Sequence, residues 1–183
     1  PLLLSEPKST VIAVHRLDQG TSGLVVFARN KIAAQHLTKQ FKAHSVERKY
    51  LALVRGTPVS QRIESLFVDN RGDGRRGSAK EGKTAVTHVK VIEQFDGFAL
   101  VECQLETGRT HQVRIHLGEA GTPLCGETVY DRPIHGKPLP DGSGAERPML
   151  HAAVLGFEHP KTGEILHFHA EPPADFLNVP TSL

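Results

Sequence analysis

Short apolar runs alternate with polar and Gly-rich stretches along this chain. Residues 11–14 and 24–28 are rich in β-branched side chains and bounded by polar or Gly positions, which predicts two buried strands. Asn30 is placed to cap a helix over residues 31–44. Ala33, Leu37 and Phe41 recur there at i, i+4 and i+8, with Ile32 beside them, and make one apolar stripe. Residues 50–54, 84–92 and 98–105 read as strands, and Asp96-Gly97 is a turn signal that joins the last two into a hairpin. A helix is predicted over residues 110–120, where Val113, Leu117 and Ala120 share a face and Gly121 ends it. Residues 150–157 and 165–169 follow as strands, and a short helix is expected near residues 174–177. No internal repeat or domain boundary is visible. Strands outnumber helices and neighbours are joined by turns, so the predicted class is α+β with a largely antiparallel sheet.

Two polar stretches stand apart. Residues 69–83 are Gly-rich and carry Arg71, Arg75, Arg76, Lys80 and Lys83 against Asp69, Asp73 and Glu81; without apolar periodicity they are expected to be mobile. Residues 133–148 form a second, Pro/Gly-rich loop. Composition adds limits. Hydrophobic residues are 38% and charged residues 23% of 183, enough for a packed core and too little charge for disorder. A formal net charge of +2 excludes a strongly basic tail but not a local basic groove. No apolar stretch approaches the roughly 18 residues of a membrane span, and Pro1-Leu2-Leu3-Leu4 does not read as a signal peptide. Two cysteines, Cys103 and Cys125, make no CxxC, so a cytoplasmic location is expected. Eleven histidines ask for an explanation.

Candidate chemistry concentrates in two segments. His15-Arg16-Leu17-Asp18-Gln19-Gly20-Thr21-Ser22-Gly23 joins two apolar runs and offers Arg, Asp, Thr and Ser from a strand-to-strand loop. The same residues also suit a plain turn, with Asp18 bonded to nearby N–H groups. A phosphate loop fails because Leu24 follows Gly23, and a GxSxG nucleophile fails on spacing. Glu106-Thr107-Gly108-Arg109-Thr110-His111-Gln112-Val113-Arg114-Ile115-His116 runs from a strand end into a helix, whose N–H groups offer a phosphate site beside Arg109 and Arg114. Arg114 also suits a simple surface ion pair. His111 and His116 are not at i, i+4, and His167 and His169 share a strand face without further ligands, so no metal site is expected.

These segments carry a resemblance. Residues 15–29 look like the catalytic-aspartate motif of the RluA-type pseudouridine synthases. Arg48-Lys49-Tyr50-Leu51-Ala52-Leu53-Val54-Arg55-Gly56 resembles their tyrosine motif, and residues 107–117 their arginine motif. Pro123-Leu124-Cys125-Gly126 through Tyr130, and Leu150-His151-Ala152, match further family segments in the same order. Gly126-Glu127 stands where the family usually has Gly-Asp; a carboxylate remains, so little effect is expected.

The resemblance implies the pseudouridine synthase fold, an α+β mixed sheet flanked by helices and loops, with a catalytic cleft across the sheet. Residues 1–183 would be one catalytic domain lacking the family's first strand and any S4-type domain. The implied activity is isomerisation of specific uridines in structured RNA, ribosomal large-subunit RNA ahead of transfer RNA. No cofactor or metal is demanded, and a monomer without membrane contact is expected. Asp18 would be the catalytic carboxylate, with Tyr50 against the target base and Arg114 paired to Asp18. Arg16 would enter the RNA stack where the uridine flips out. Thr21, Arg109 and His111 would contact substrate, and Leu150 would line the pocket. The alternatives are a non-catalytic RNA-binding or ribosome-assembly module on the same fold, and a glycoside hydrolase, which needs a second carboxylate that this context lacks.

Overall fold

Strands from the middle and C-terminal parts of the chain gather into one large sheet, partly as hairpins of sequence neighbours and partly by pairing strands far apart in sequence. The computed structural model describes residues 11–133 and 136–178. The sequence reading of residues 1–4 and part of the predicted loop at 133–148 lie outside them. In chain order the elements are β1 (Ile12–Ala13), β2 (Ser22–Gly23), β3 (Phe27–Ala28), α1 (Lys31–Ala43), β4 (Glu47–Arg55), β5 (Gln61–Val68), β6 (Gly77–Ala79), β7 (Lys83–Gln94), β8 (Phe98–Leu105), α2 (Gln112–Glu119), β9 (Leu150–Glu158), β10 (Ile165–His169) and α3 (Ala174–Asn178). The main sheet runs β10-β9-β4-β8-β7-β5-β6, and β2 adds to β9. Its pairings are antiparallel except β2 on β9, so the α+β, largely antiparallel architecture is the one observed.

Two apolar clusters frame the working side of the sheet. In the first, Ala52, Val54, Val89, Val101 and Cys103 of the central strands pack with Val113 and Leu117 of α2 and with Leu150. In the second, Ala34 and Leu37 of α1 cover Ala28, Val46, Leu155 and Phe157. Burial of one such Leu or Val side chain contributes about 1.5–3 kcal/mol, which is enough to hold both helices to the sheet. Asn30 caps α1 through its side-chain oxygen, which accepts the Ala33 N–H at 2.9 Å. The helix ends at His44, which adopts a left-handed conformation (φ 57°).

Several expectations need correction. β1 and β3 are two-residue strands paired to each other, and Val11, Val25 and Phe27 are exposed rather than buried. Ile32 is exposed as well, so it lies outside the α1 stripe. β5 was not foreseen. Nor was β6, which crosses the stretch expected to be mobile and pairs Leu66 with Ala79 and Val68 with Gly77. Arg71 ties that stretch down. It donates to Glu119 at 2.7 Å and to Asp73, and Ser78 donates to the same Glu119 carboxylate. Arg71 is thus pinned by opposite charge, whereas Lys80, Glu81 and Lys83 are exposed.

Candidate active site

The loop between β1 and β2 carries Asp18, and four contacts from distant parts of the chain hold it. The Val26 N–H donates to His15 Nε2 at 3.0 Å, and the His15 ring stacks on Phe41 of α1 with centroids 4.3 Å apart. Ser22 Oγ lies 2.9 Å from His151 Nδ1, while His151 Nε2 lies 2.9 Å from the Ala170 carbonyl oxygen. Arg147 donates to the Gly20 carbonyl at 2.8 Å. Gly23 (φ 106°) lies so close to the Ala152 backbone that any Cβ would overlap it, which is why Gly is needed where β2 joins β9. These histidines account for part of the unusual count: they fasten loops. Burial, helped by the Arg48 charge, pushes His15 down to about 4, so it holds Val26 as a neutral acceptor.

The loop faces a cleft of about 300 Å³ between the two apolar clusters. Asp18, Arg16, Thr21, Tyr50, Arg109 and Leu150 all line it, together with Arg48, Phe41, Gly108 and Val113. Six of the eight residues singled out from sequence thus meet in one place, although they come from four stretches of chain. Tyr50 sits beside a register shift between β4 and β9 at Lys49/Tyr50, the kind of bulge that re-aims a side chain. Burial raises the Tyr50 phenol above its usual value against the lowering pull of Arg48, so it is a proton-bearing hydroxyl at neutral pH. Leu150 is buried and supplies an apolar wall.

The remaining two candidates stand behind that lining. His111 is at the N-terminus of α2 in a left-handed conformation (φ 58°). Its Nδ1 is 2.9 Å from the Tyr130 hydroxyl, and its Nε2 is 3.8 Å from Asp18 Oδ1. Burial lowers its pKa more than the Asp18 charge raises it. Arg114 does not form the expected pair with Asp18. It donates through Nε and Nη2 to Glu127 at 2.6 and 2.8 Å, and Asp18 reaches it only as a more distant charge. Glu127 also accepts N–H groups of Thr128, Val129 and Tyr130, and the Arg114 guanidinium lies 5.3 Å from the Tyr130 ring centroid. Burial pushes the Glu127 carboxyl up, but the Arg114 hydrogen bonds and charge outweigh it and hold the group below the usual carboxylate range. The reason lies in reach: Glu127 is on the turn beyond α2, and its longer side chain closes the fork.

At the helix start the N–H groups of Arg109 and Gln112 are already engaged. The Arg109 N–H donates to Gln112 Oε1 at 3.0 Å, which also accepts from Thr107, and Gln112 Nε2 donates to Val86. Arg109 itself donates through Nε to the Thr84 carbonyl at 2.9 Å. Sequence reasoning missed Arg48 and His15 as parts of the site. Arg48 was legible in one respect, since it sits two positions before Tyr50 and alternation puts both on one face. His15 carried no local sign of its contact with Val26.

The family model for RNA pseudouridylate synthase matches residues 2–119. An uncharacterised RNA pseudouridine synthase of Bacillus subtilis is 41% identical over 91% of this chain and 54% of its own length. A ribosomal large subunit pseudouridine synthase D of Neisseria meningitidis is 39% identical over 98% of this chain and 49% of its own. The chain therefore spans about half the length of these curated relatives. Among solved structures, human RNA pseudouridylate synthase domain containing 4 superposes with a TM-score of 0.79 at 23% identity, covering 97% of this chain and 77% of that one. Human RNA pseudouridylate synthase domain containing 1 gives 0.72 at 29% identity, covering 90% and 70%. A family match across more than half of the sequence, joined to the same fold, makes this chain a member of the RNA pseudouridylate synthase family.

Proposed function

We propose that this chain isomerises uridine to pseudouridine within RNA, with Asp18 as the reacting carboxylate. The observation that carries this is the convergence of Asp18, Tyr50, Arg109 and Leu150, from separate stretches of chain, on one small cleft. In the reaction the N1–C1′ bond breaks, the uracil turns, and C5 bonds to C1′. C5 then loses a proton and N1 gains one, so nothing is oxidised or hydrolysed and no cofactor is demanded. Asp18 acts ionised, at C1′, at the uracil ring or on the C2′ proton. Tyr50 lies against the base, and Leu150 keeps that side of the pocket dry. Arg16, exposed at the rim, takes the place of the flipped nucleotide in the stack, a role suited to a planar cation. Thr21 and Arg109 contact the substrate strand from the same lining, His111 steadies Asp18, and Arg114 with Glu127 sets the charge behind it.

The substrate we propose is ribosomal large-subunit RNA, following the printed name of the Neisseria meningitidis relative. Residues 1–183 act as one catalytic unit, a cytoplasmic monomer, within this reading. The full-length gene product, given RNA carrying 5-tritiated uridine, is expected to release tritium. Asp18→Asn is expected to release less than about a thousandth as much. Full activity in Asp18→Asn would overturn the mechanism. RNA binding by the wild type without any tritium release would instead make the chain a non-catalytic RNA-binding module.

A further inference from the structure

Arg48 is 8% exposed and lies in the cleft wall beside Tyr50 and Asp18. Its Nε and Nη2 are buried without a hydrogen-bond partner. Among the described residues no carboxylate comes within 4 Å of it. The titratable groups that face it are His15 from the loop after β1, His44 from the end of α1, and Tyr50 from its own strand. Both histidines are pushed toward the neutral form by burial and then by Arg48 itself, and the Tyr50 phenol keeps its proton. None of these three is an anion, and Asp18, the carboxylate that shares the cleft, makes no ion pair with Arg48. Gly108 closes the other side, where a Cβ would overlap Arg48 Nη1. An arginine stays charged in a protein, and a buried charge with no partner is destabilising by several kcal/mol. Such an arrangement persists at functional sites, where the missing partner arrives with the reaction.

The reaction proposed above, on which this inference rests, produces an anion at this place. When the N1–C1′ bond breaks, its electron pair stays with the base and spreads from N1 onto the O2 and O4 oxygens. C1′ is compensated either by a bond to an Asp18 oxygen or by loss of its C2′ proton to Asp18. We propose that Arg48 is the cation that stabilises the negative charge developing on the detached uracil. A guanidinium is one delocalised charge, so its orphan nitrogens and the edge in the cleft act together. No existing ion pair has to break for it to do so. When C5 bonds to C1′, the Asp18–C1′ bond breaks, or C2′ regains its proton from Asp18, and the charge on the base is discharged; C5 then loses its proton, N1 takes one, and product leaves. RNA phosphates are the other anions at hand. Arg16 is exposed and Arg109 half-buried in the same lining, and both suit a strand that stays outside the cleft; Arg48 is too deep for that role.

The test uses the full-length gene product and an RNA with 5-tritiated uridine, comparing wild type, Arg48→Met and Arg48→Lys. For Arg48→Met, kcat is expected to fall about 100-fold or more, as when one donor to a developing anion is removed. KM is expected to stay within about threefold, and Arg48→Lys to recover part of kcat. The melting temperature of Arg48→Met is expected to be equal to or above that of wild type, because an unpaired buried charge has been removed. A wild-type kcat in Arg48→Met would overturn the inference. So would a raised KM with a shallower salt dependence of RNA binding at intact kcat, which would make Arg48 a phosphate contact. Loss of activity together with a lowered melting temperature in both variants would make it a structural residue. These outcomes overturn the role of Arg48 while leaving the isomerase reading in place, whereas a wild type that releases no tritium overturns both.

Discussion

Arg114 on α2 and Arg48 on β4 are buried to the same degree, 6% and 8% exposed, on two walls around the same aspartate. The α2 wall pairs its arginine through a two-point fork to Glu127 that is itself held by three backbone N–H groups. The β4 wall leaves its arginine with buried donors that bond to nothing. The first arrangement is what a fold needs from a buried charge, and the second is what a fold tolerates only where an anion is to come. Burial alone therefore does not separate a structural arginine from a reactive one; the partner does.

The largest effect that would test this contrast is loss of the fork. Glu127→Ala leaves Arg114 buried and unpaired, and is expected to lower stability by about 3–5 kcal/mol in urea unfolding. A loss within the ±0.5 kcal/mol of an ordinary surface change would mean that the two walls are not held differently.

A pH series probes the same walls more gently. His15, near Arg48, and His116, on α2 itself, are pushed down to about 4, in both cases chiefly by burial. In the unfolded chain they take up protons near 6.5, before the folded form does. The stability they contribute is complete above about pH 6.5 and is lost as pH falls toward 4. Glu127 acts in the same direction at lower pH: its stabilisation is present above its ordinary value and is lost as pH falls through the lowered folded one. Unfolding free energies are thus expected to decline in two stages, first from the histidines and then from the carboxylate. Because Arg48 is the second cause of the His15 shift, Arg48→Met should move His15 upward in an NMR titration and leave His116 unchanged.

The smallest effect is expected from Gly108→Ala. Its Cβ would overlap Arg48 Nη1, the mobile end of a long side chain, so the guanidinium shifts while the fold holds. Tritium release should fall by about tenfold with a melting temperature within a few degrees of wild type. An unchanged rate would mean that the position of Arg48 is not set by Gly108.

Much of the framework was legible beforehand, for local reasons. The β7–β8 hairpin follows from apolar alternation around Asp96-Gly97, and α1 from its Asn30 cap and its four-residue spacing. β6 was not legible, since Gly77–Ala79 has neither β-branched residues nor alternation; it is a strand only because β5 offers it an edge and Arg71 is anchored to Glu119. β5 itself mixes Arg62 and Glu64 with apolar neighbours, and its membership depends on pairing with β7. At the site, the motif order singled out the residues that line the cleft, Asp18, Tyr50, Leu150 and Arg109 among them. It did not tell which carboxylate Arg114 holds, since a guanidinium serves whichever acceptor packs within its reach.

By itself, then, the sequence determined most of the helices and strands, β5 and β6 excepted, which family the chain resembles, and which side chains to watch, because those depend on residue type and short-range spacing. Only the tertiary structure decided that Arg114 is paired and Arg48 is not. Ion pairing and desolvation depend on what the rest of the chain brings within about 4 Å, and here the groups concerned come from α2, β4, the loop after β1 and the turn at Glu127.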